Sequence, residues 1–358
     1  MSVSVRLKPK PSPNSVSTKT PRNCTNTYSR AHVERSQHRR LVIVENPASS
    51  RHGLAVPSIE YLETELRHVV RLQTQRNPNA TREQIAEKVK AGDVIVLAAG
   101  DGGQNDAING IVASGEDDLA TISLPAGGEN DTSQAFHGRW LIEGLAVVAR
   151  LACLRDEVPT RDARLFHVEA DGNDLGYGVI SCALGAVAAG AMWMEETNAK
   201  AELNQAGRTL HAKIDMAVRY YFEHAKHYRM PEVRHNNGLE RRLGAAILIM
   251  NDGRMAGTWH NLLAKRALFS PYFSVGHYQG LWQLPRSVWF GAQSLSGTMH
   301  GRLRTAETIG FRDGVHVPLL LDGEFRGNVQ HVKFTKGKSA QTVPVADVNQ
   351  LLDLELAS

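Results

Sequence analysis

Val94-Ile95-Val96-Leu97-Ala98-Ala99-Gly100-Asp101-Gly102-Gly103-Gln104-Asn105-Asp106 is the stretch on which the reading of the fold turns. Six apolar residues make a strand buried on both faces, the glycines permit a tight turn, and Ile108 and Ile111 continue as the apolar stripe of a helix. The same design recurs at once. Thr121-Ile122-Ser123-Leu124 reads as a strand, and Pro125-Ala126-Gly127-Gly128-Glu129-Asn130-Asp131 as a second glycine loop opening another helix. Backbone N–H groups at such loops and helix N-termini bind anions. Two loops side by side therefore predict a phosphate site.

Upstream, Leu41-Val42-Ile43-Val44 is a short buried strand that ends in the turn-forming run Glu45-Asn46-Pro47-Ala48-Ser49-Ser50. A helix is predicted from Val56 to about Arg67, a second strand over His68–Thr74, and a short helix opened by the capping box Thr81-Arg82-Glu83-Gln84. A further helix is predicted from about Trp140 to Leu151. Strands alternating with helices and no hairpin signals between them imply a parallel sheet covered on both faces. In such sheets ligands bind at the carboxyl ends of the strands, where both glycine loops fall.

The pattern changes past Asp156. Arg164–Glu169 alternates, Asp171-Gly172-Asn173-Asp174 is a turn, and Gly176–Ile180 returns as a hairpin strand. A helical segment over Ala212–His227 precedes the apolar run Gly244–Met250 and the turn Asn251-Asp252-Gly253, with later strands at Thr305–Phe311, His316–Leu321 and His331–Phe334. This half reads as an antiparallel β domain with one helical excursion. The expected organisation is a basic tail over 1–39, an α/β domain over 40–156, a β domain over 157–335, and a segment over 336–358 that could return to the first domain.

Nine of the Lys/Arg residues stand in the first 40 positions against Glu34 alone, so the tail's +8, taken from the chain's +4, leaves −4 for the body. A nucleic-acid surface on the body is not supported. The tail reads as a disordered extension or as a contact for anionic membrane, and both stay open. Leu175–Met194 carries no charge, but its glycines and alanines argue against a membrane span. Three cysteines without CxxC spacing favour a reducing compartment, hence a cytoplasmic chain, with peripheral membrane attachment and oligomerisation left open.

Taken together, the motifs resemble the catalytic domain of the diacylglycerol kinase and sphingosine kinase superfamily, lipid kinases distantly related to NAD kinases. The resembling residues are Asn46-Pro47-Ala48-Ser49-Ser50, Gly100-Asp101-Gly102-Gly103 with Gln104-Asn105-Asp106 and Asn109-Gly110, Pro125-Ala126-Gly127-Gly128-Glu129-Asn130-Asp131, and Asp322-Gly323-Glu324. The resemblance implies an α/β nucleotide-binding domain followed by an antiparallel β-sandwich that shapes a lipid site. It implies ATP and Mg2+ as cofactors and a lipid hydroxyl as acceptor. By carry-over, Asn46, Pro47, Ser49, Gly100, Asp101, Gly102, Gly103, Asn105, Asp106, Gly127, Gly128, Asn130 and Asp131 would line the nucleotide site, with Asp101 near magnesium. Glu324 or Asp322 would be the general base, Glu324 being preferred.

The sequence also departs from that pattern. Gly103 and Gly128 stand where the family has threonines, and Glu129 brings a carboxylate into a phosphate loop, where it repels ATP unless it turns away or binds metal. Tyr272, Tyr278 and Gln279 replace the acids associated with a structural magnesium, so that site is expected to be absent or rebuilt. Two other readings follow: a lipid-kinase-like binding protein without turnover, and a soluble-substrate kinase using Asp101 as base. His224 and His227 read as a solvated helix face, and Phe269, Phe273, Tyr278, Trp282 and Trp289 as β-domain core or an acyl-chain pocket.

Overall fold

The computed structural model describes residues 39–138, 141–207, 209–223, 232–235, 240–242, 246–250, 254–255, 259–260, 273–278, 302–304 and 306–343. Residues 1–38 of the basic tail, Trp140, His224, His227, the Asn251–Gly253 turn, Phe269, Tyr272, Gln279, Trp282, Trp289 and residues 344–358 lie outside them. Phe273 and Tyr278 are described only as backbone.

Four parallel strands open the chain: β1 (Leu41–Glu45), β2 (Val69–Gln73), β3 (Val94–Ala99) and β4 (Ala120–Pro125), in spatial order β2-β1-β3-β4. Their side chains divide with a period of two. Leu41, Ile43, Val94, Val96 and Ala98 pack under helices α1 (His52–Glu65) and α5 (Ile142–Cys153). Val42, Val44, Ile95 and Leu97 pack under α2 (Pro78–Lys88) and α3 (Asp101–Ser114). Burying each large aliphatic side chain contributes about 1.5–3 kcal/mol, which explains why these runs carry no polar face. Gly110 lets α3 lie directly on α2. A Cβ there would stand 2.8 Å from the Arg82 carbonyl oxygen and from Ile85 Cβ.

Two helix starts differ from the sequence reading. α1 begins at His52, with Pro57 inside it, rather than at Val56. α2 begins at Pro78 because Asn77 caps it, its side chain accepting from Asn79 N, and Pro78 suits the first helical position. Thr81, expected as the cap, lies inside the helix, and its hydroxyl accepts from Gln75 N at 2.8 Å.

The second half is antiparallel. β5 (Arg161–Ala170) and β6 (Asn173–Gly178) form a hairpin whose turn residues Asp171 and Gly172 both have positive φ, as a tight two-residue turn requires. The uncharged stretch Leu175–Met194 is not one long helix. It divides among β6, β7 (Ser181–Gly185) and α6 (Ala186–Glu196), and no helix among the described residues is long and apolar enough to cross a membrane. Helices α7 (Ala199–Gln205) and α8 (Leu210–Glu223) complete the helical excursion. Strands β8 (Glu232–His235), β9 (Glu240–Arg242), β10 (Ala246–Met250), β11 (Arg254–Met255), β12 (Trp259–His260), β13 (Phe273–Tyr278), β14 (Arg302–Arg304), β15 (Ala306–Phe311), β16 (Val317–Leu321), β17 (Glu324–Val329) and β18 (His331–Thr342) follow.

A smaller, wholly antiparallel sheet has the order β14-β13-β10-β7-β16-β17. It faces β5, β15 and β18 across a core of Phe166, Val168, Leu184, Phe311, Leu319, Leu321 and Phe334. β18 is far longer than the predicted His331–Phe334. It pairs antiparallel with β5 and β15, then reaches the parallel sheet, where Thr342 pairs with Thr121 of β4. One mixed sheet thus runs through both halves.

The junction at the end of β18 is pinned by His137, the last residue of α4 (Asp131–His137). Its ring is fully buried. Ser123 N donates to Nε2 and Nδ1 donates to the Val343 carbonyl, both at 2.9 Å. That pairing fits only the neutral ring, and burial pushes the pKa down to about 4. Below the ordinary histidine value of about 6.5, an unfolded chain takes up a proton that the folded one refuses. Folding stability is therefore expected to fall by roughly 3 kcal/mol as pH drops from about 6.5 to about 4. Denaturant melts across that window should show this loss in the wild-type chain, and a shallower one in His137→Gln. Parallel profiles for the two would contradict the assignment.

Candidate active site

Because β1, β3 and β4 are parallel, the loops that follow them emerge at one edge of the sheet, and backbone contacts join them there. Asn46 N donates to Ala98 O and Arg51 N to Ala126 O, each at 3.0 Å, while Ser49 Oγ accepts from Gly100 N at 3.0 Å. The two glycine loops meet backbone to backbone, since a Cβ on Gly127 would lie 2.5 Å from Gly100 Cα. Asn130, in the left-handed region at φ 58°, closes the second loop by accepting from Gly127 N (2.6 Å) and donating to Gly127 O (2.9 Å). Pro47 belongs to the first turn, in which Asn46 Oδ1 accepts from Ala48 N. Gly103 lies under Asn46: a Cβ would stand 3.5 Å from the Asn46 Nδ2.

Beneath the first loop lies an ion cluster that sequence reasoning missed. Glu45, fully buried, accepts from Arg71 Nε (2.7 Å) and Nη2 (2.9 Å), from Gln73 Nε2 (3.1 Å) and from His52 Nε2 (2.9 Å). Burial alone would raise its pKa, but these bonds together hold the carboxyl below its ordinary value. Glu45 and Gln73 are register neighbours on parallel strands, a pairing visible only once the sheet order is known.

Asp101 heads α3 and accepts from Thr132 N at 2.8 Å, which links the N-termini of α3 and α4. Its pKa is raised, first by burial and further by the charge of Glu129, while hydrogen bonds from Thr132 and Asp131 N oppose the shift. Asp131, at the start of α4, is itself buried. Glu129 does not stand alone in its loop as a bare repulsive charge: it forms a 2.7 Å ion pair with Lys213 of α8. Nothing local in the sequence connects this carboxylate with its partner, 84 residues away.

Asp322 and Glu324, separated by Gly323 alone, do different things. Asp322 and Gly323 both have positive φ and form the two-residue turn between β16 and β17, whose register pairs Leu321 with Glu324. The Asp322 carboxylate turns inward and accepts four bonds, from Asn105 Nδ2 (2.7 Å), Val179 N (2.6 Å), Ile180 N (2.8 Å) and Ser181 N (2.7 Å). Burial pushes its pKa up to about 6 against the pull of those donors. Its oxygens are committed to holding the turn. The Glu324 side chain lies instead against the first turn of α3, where a Cβ on Gly102 would meet its Cγ and would displace it. Although Glu324 is exposed as a residue, desolvation of its carboxylate raises its pKa, with Lys200 and Arg326 opposing the shift and Asp106 and Glu195 adding to it.

Asn105, expected at the nucleotide, bonds to the β half, and Asp106 lies between the two halves. Asn105 is fully buried and donates to Tyr177 O and Asp322. Asp106 is paired with Arg82 (3.1 Å) and with Arg326 of β17 (3.3 Å). Arg326 is the extra residue of a bulge in β17, where Leu320 pairs with Phe325 and Leu319 with Gly327, so strand alternation gave no signal for it. Gly100 stands at the N-cap of α3, and Gly102 and Gly103 follow Asp101 in its first turn.

Residues 40–155 match the family model of the diacylglycerol kinase catalytic domain. No curated protein matches the sequence. Three solved structures from Bacillus anthracis str. Sterne are similar. One, a diacylglycerol kinase, has TM-score 0.57 and 13% identity, covering 87% of this chain and 99% of that one. The other two have TM-score 0.56 with 14% and 16% identity, each covering 86% of this chain and 98% of its own. At these identities the likeness establishes a shared fold, and the family match is confined to residues 40–155.

The division of labour between the two acids is testable on stability alone. Asp322→Ala leaves four donors unpaired and is expected to cost about 3–5 kcal/mol of unfolding free energy. Glu324→Gln, at a carboxylate that accepts no hydrogen bond among the described residues, is expected to stay within about 0.5 kcal/mol of wild type. Equal effects in a denaturant titration would contradict the division.

Proposed function

We propose that the chain is an ATP-dependent lipid kinase that transfers the γ-phosphoryl group to a hydroxyl of a diacylglycerol-like or sphingoid lipid. The observation that carries this reading is the placement of the Glu324 carboxylate directly over Gly102, at the mouth of two joined glycine loops. Phosphoryl transfer demands positioning and charge neutralisation more than covalent chemistry. The loops offer backbone N–H groups and two helix N-termini, held together where Gly127 lets the second loop meet Gly100 backbone to backbone.

The donor set fits Mg2+ brought in with a nucleotide. Asp101, with Glu129 in electrostatic reach, supplies the one or two carboxylates that such an ion takes alongside phosphate oxygens. When bound, the ion would neutralise charge on the phosphates. Asp101 would orient it from the head of α3, held by Thr132 N. Glu324 would accept the proton of the acceptor hydroxyl. Its raised pKa, set by desolvation, makes it a stronger base than an exposed carboxylate. Asp322 would act through the turn, as a positioning residue.

Radiolabelled γ-phosphate transfer to a lipid extract tests the reading. Glu324→Gln is expected to lose about 10²- to 10⁴-fold in turnover while ATP affinity stays near wild type. The wild-type rate is expected to fall on acidification, because the base works only when ionised. Retained ATP binding with no transfer to any lipid would leave the alternative of a nucleotide-binding protein without turnover, and transfer to NAD alone would favour a soluble-substrate kinase.

A further inference from the structure

Resting on that nucleotide-binding reading, we infer that Lys213 is a phosphate-binding residue, kept in place by Glu129 until a ligand with several phosphates takes it over. The ion pair is not a chance contact of two surface chains. Its Nζ–Oε2 distance is 2.7 Å and each side chain is 19% exposed. Glu129 lies inside the second glycine loop, directly after Gly127 and Gly128, and its backbone carbonyl accepts from Gln134 Nε2 at 3.1 Å.

Lys213 is presented by a braced helix. On α8, Ala212, Met216 and Tyr220 form the stripe that packs against Trp193, Ala199 and Leu203 of α6 and α7. Tyr220 Oη donates to Ala186 O at 2.6 Å, Trp193 Nε1 donates to Glu223 at 3.1 Å, and Arg219 pairs with Glu202 at 2.8 Å. Position 213 therefore stands at a set place over the loop. The ammonium group has three donors on a flexible stem, so it can turn from Glu129 towards a nearby phosphate oxygen.

The chemistry explains an otherwise awkward composition. Gly103 and Gly128 provide no hydroxyl, and the loops contain no lysine of the Gly-x-x-x-x-Gly-Lys type. A carboxylate among phosphate-binding N–H groups repels anions; paired with a lysine it becomes a threshold. A single phosphate competes poorly with the Glu129 carboxylate for the ammonium, whereas a triphosphate, carrying more charge over several oxygens, competes well. The pair thus selects for ligands with two or more phosphates.

Calorimetric titration of the full chain with ATP, ADP and AMP tests the inference. Lys213→Ala is expected to weaken ATP binding about 10- to 100-fold, the loss of one charge-assisted bond, with a smaller effect for ADP and least for AMP. Glu129→Gln is expected to tighten AMP binding most, erasing the preference among the three. The double variant Lys213→Ala/Glu129→Ala removes both charges of the pair, and it should still bind ATP more weakly than Glu129→Ala does. Equal losses for all three nucleotides, or wild-type affinity in Lys213→Ala, would overturn the role of Lys213 while leaving nucleotide binding intact. A wild-type chain that binds no nucleotide would remove this inference and the proposed function together.

Discussion

The arrangement depends on one buried carboxylate. Asp322 takes a bond from the side chain of Asn105 on α3, and three from successive backbone N–H groups at residues 179–181, where β6 gives way to β7. Those donors come from both halves of the chain, so the β16–β17 turn has one place to sit. The turn in turn decides where Glu324 stands relative to Gly102. A buried charge is tolerable only when its lone pairs are occupied, and here the occupants are the very elements that must be joined. Asn109 repeats the connection, donating to Tyr177 O and accepting from Tyr177 N.

Glycine serves this construction through close approach rather than flexibility. Gly127 meets Gly100 backbone to backbone, Gly102 leaves room for the Glu324 carboxylate, and Gly110 brings α3 down onto α2. The result is an edge of the sheet where N–H groups, two helix N-termini and a desolvated carboxylate converge. Around it the charges are paired before any ligand arrives: Glu45 with Arg71, Asp106 with Arg82 and Arg326, and Glu129 with Lys213.

The parallel strands and both glycine loops were legible in the sequence because they rest on local signals: apolar runs buried on both faces and glycines at strand ends. The Asp322-Gly323 pair was legible as a turn for the same reason. Its inward carboxylate was not, since the donors at Asn105 and residues 179–181 come from 141 or more positions away. The same limit hid the partner of Glu129, the cluster around Glu45, and the reach of β18 to Thr121, where a strand expected to stop at Phe334 continues through alternating polar residues whose partners lie on β5. Pattern reading assigned Asn105 and Asp106 to the nucleotide by their place in a motif and had no access to their partners: Asn105 donates to Tyr177 O and Asp322, and Asp106 bridges Arg82 of α2 and Arg326 of β17.

Hydrogen–deuterium exchange of the full chain with and without ATP and Mg2+ tests the central claim most directly. Backbone amides at 100–104 and 127–130 are expected to gain protection on nucleotide addition, with residues 321–326 gaining it in parallel because the Asp322 turn stands on α3. Protection confined to other segments, or none at saturating nucleotide, would contradict the assignment of the joined glycine loops as the nucleotide site.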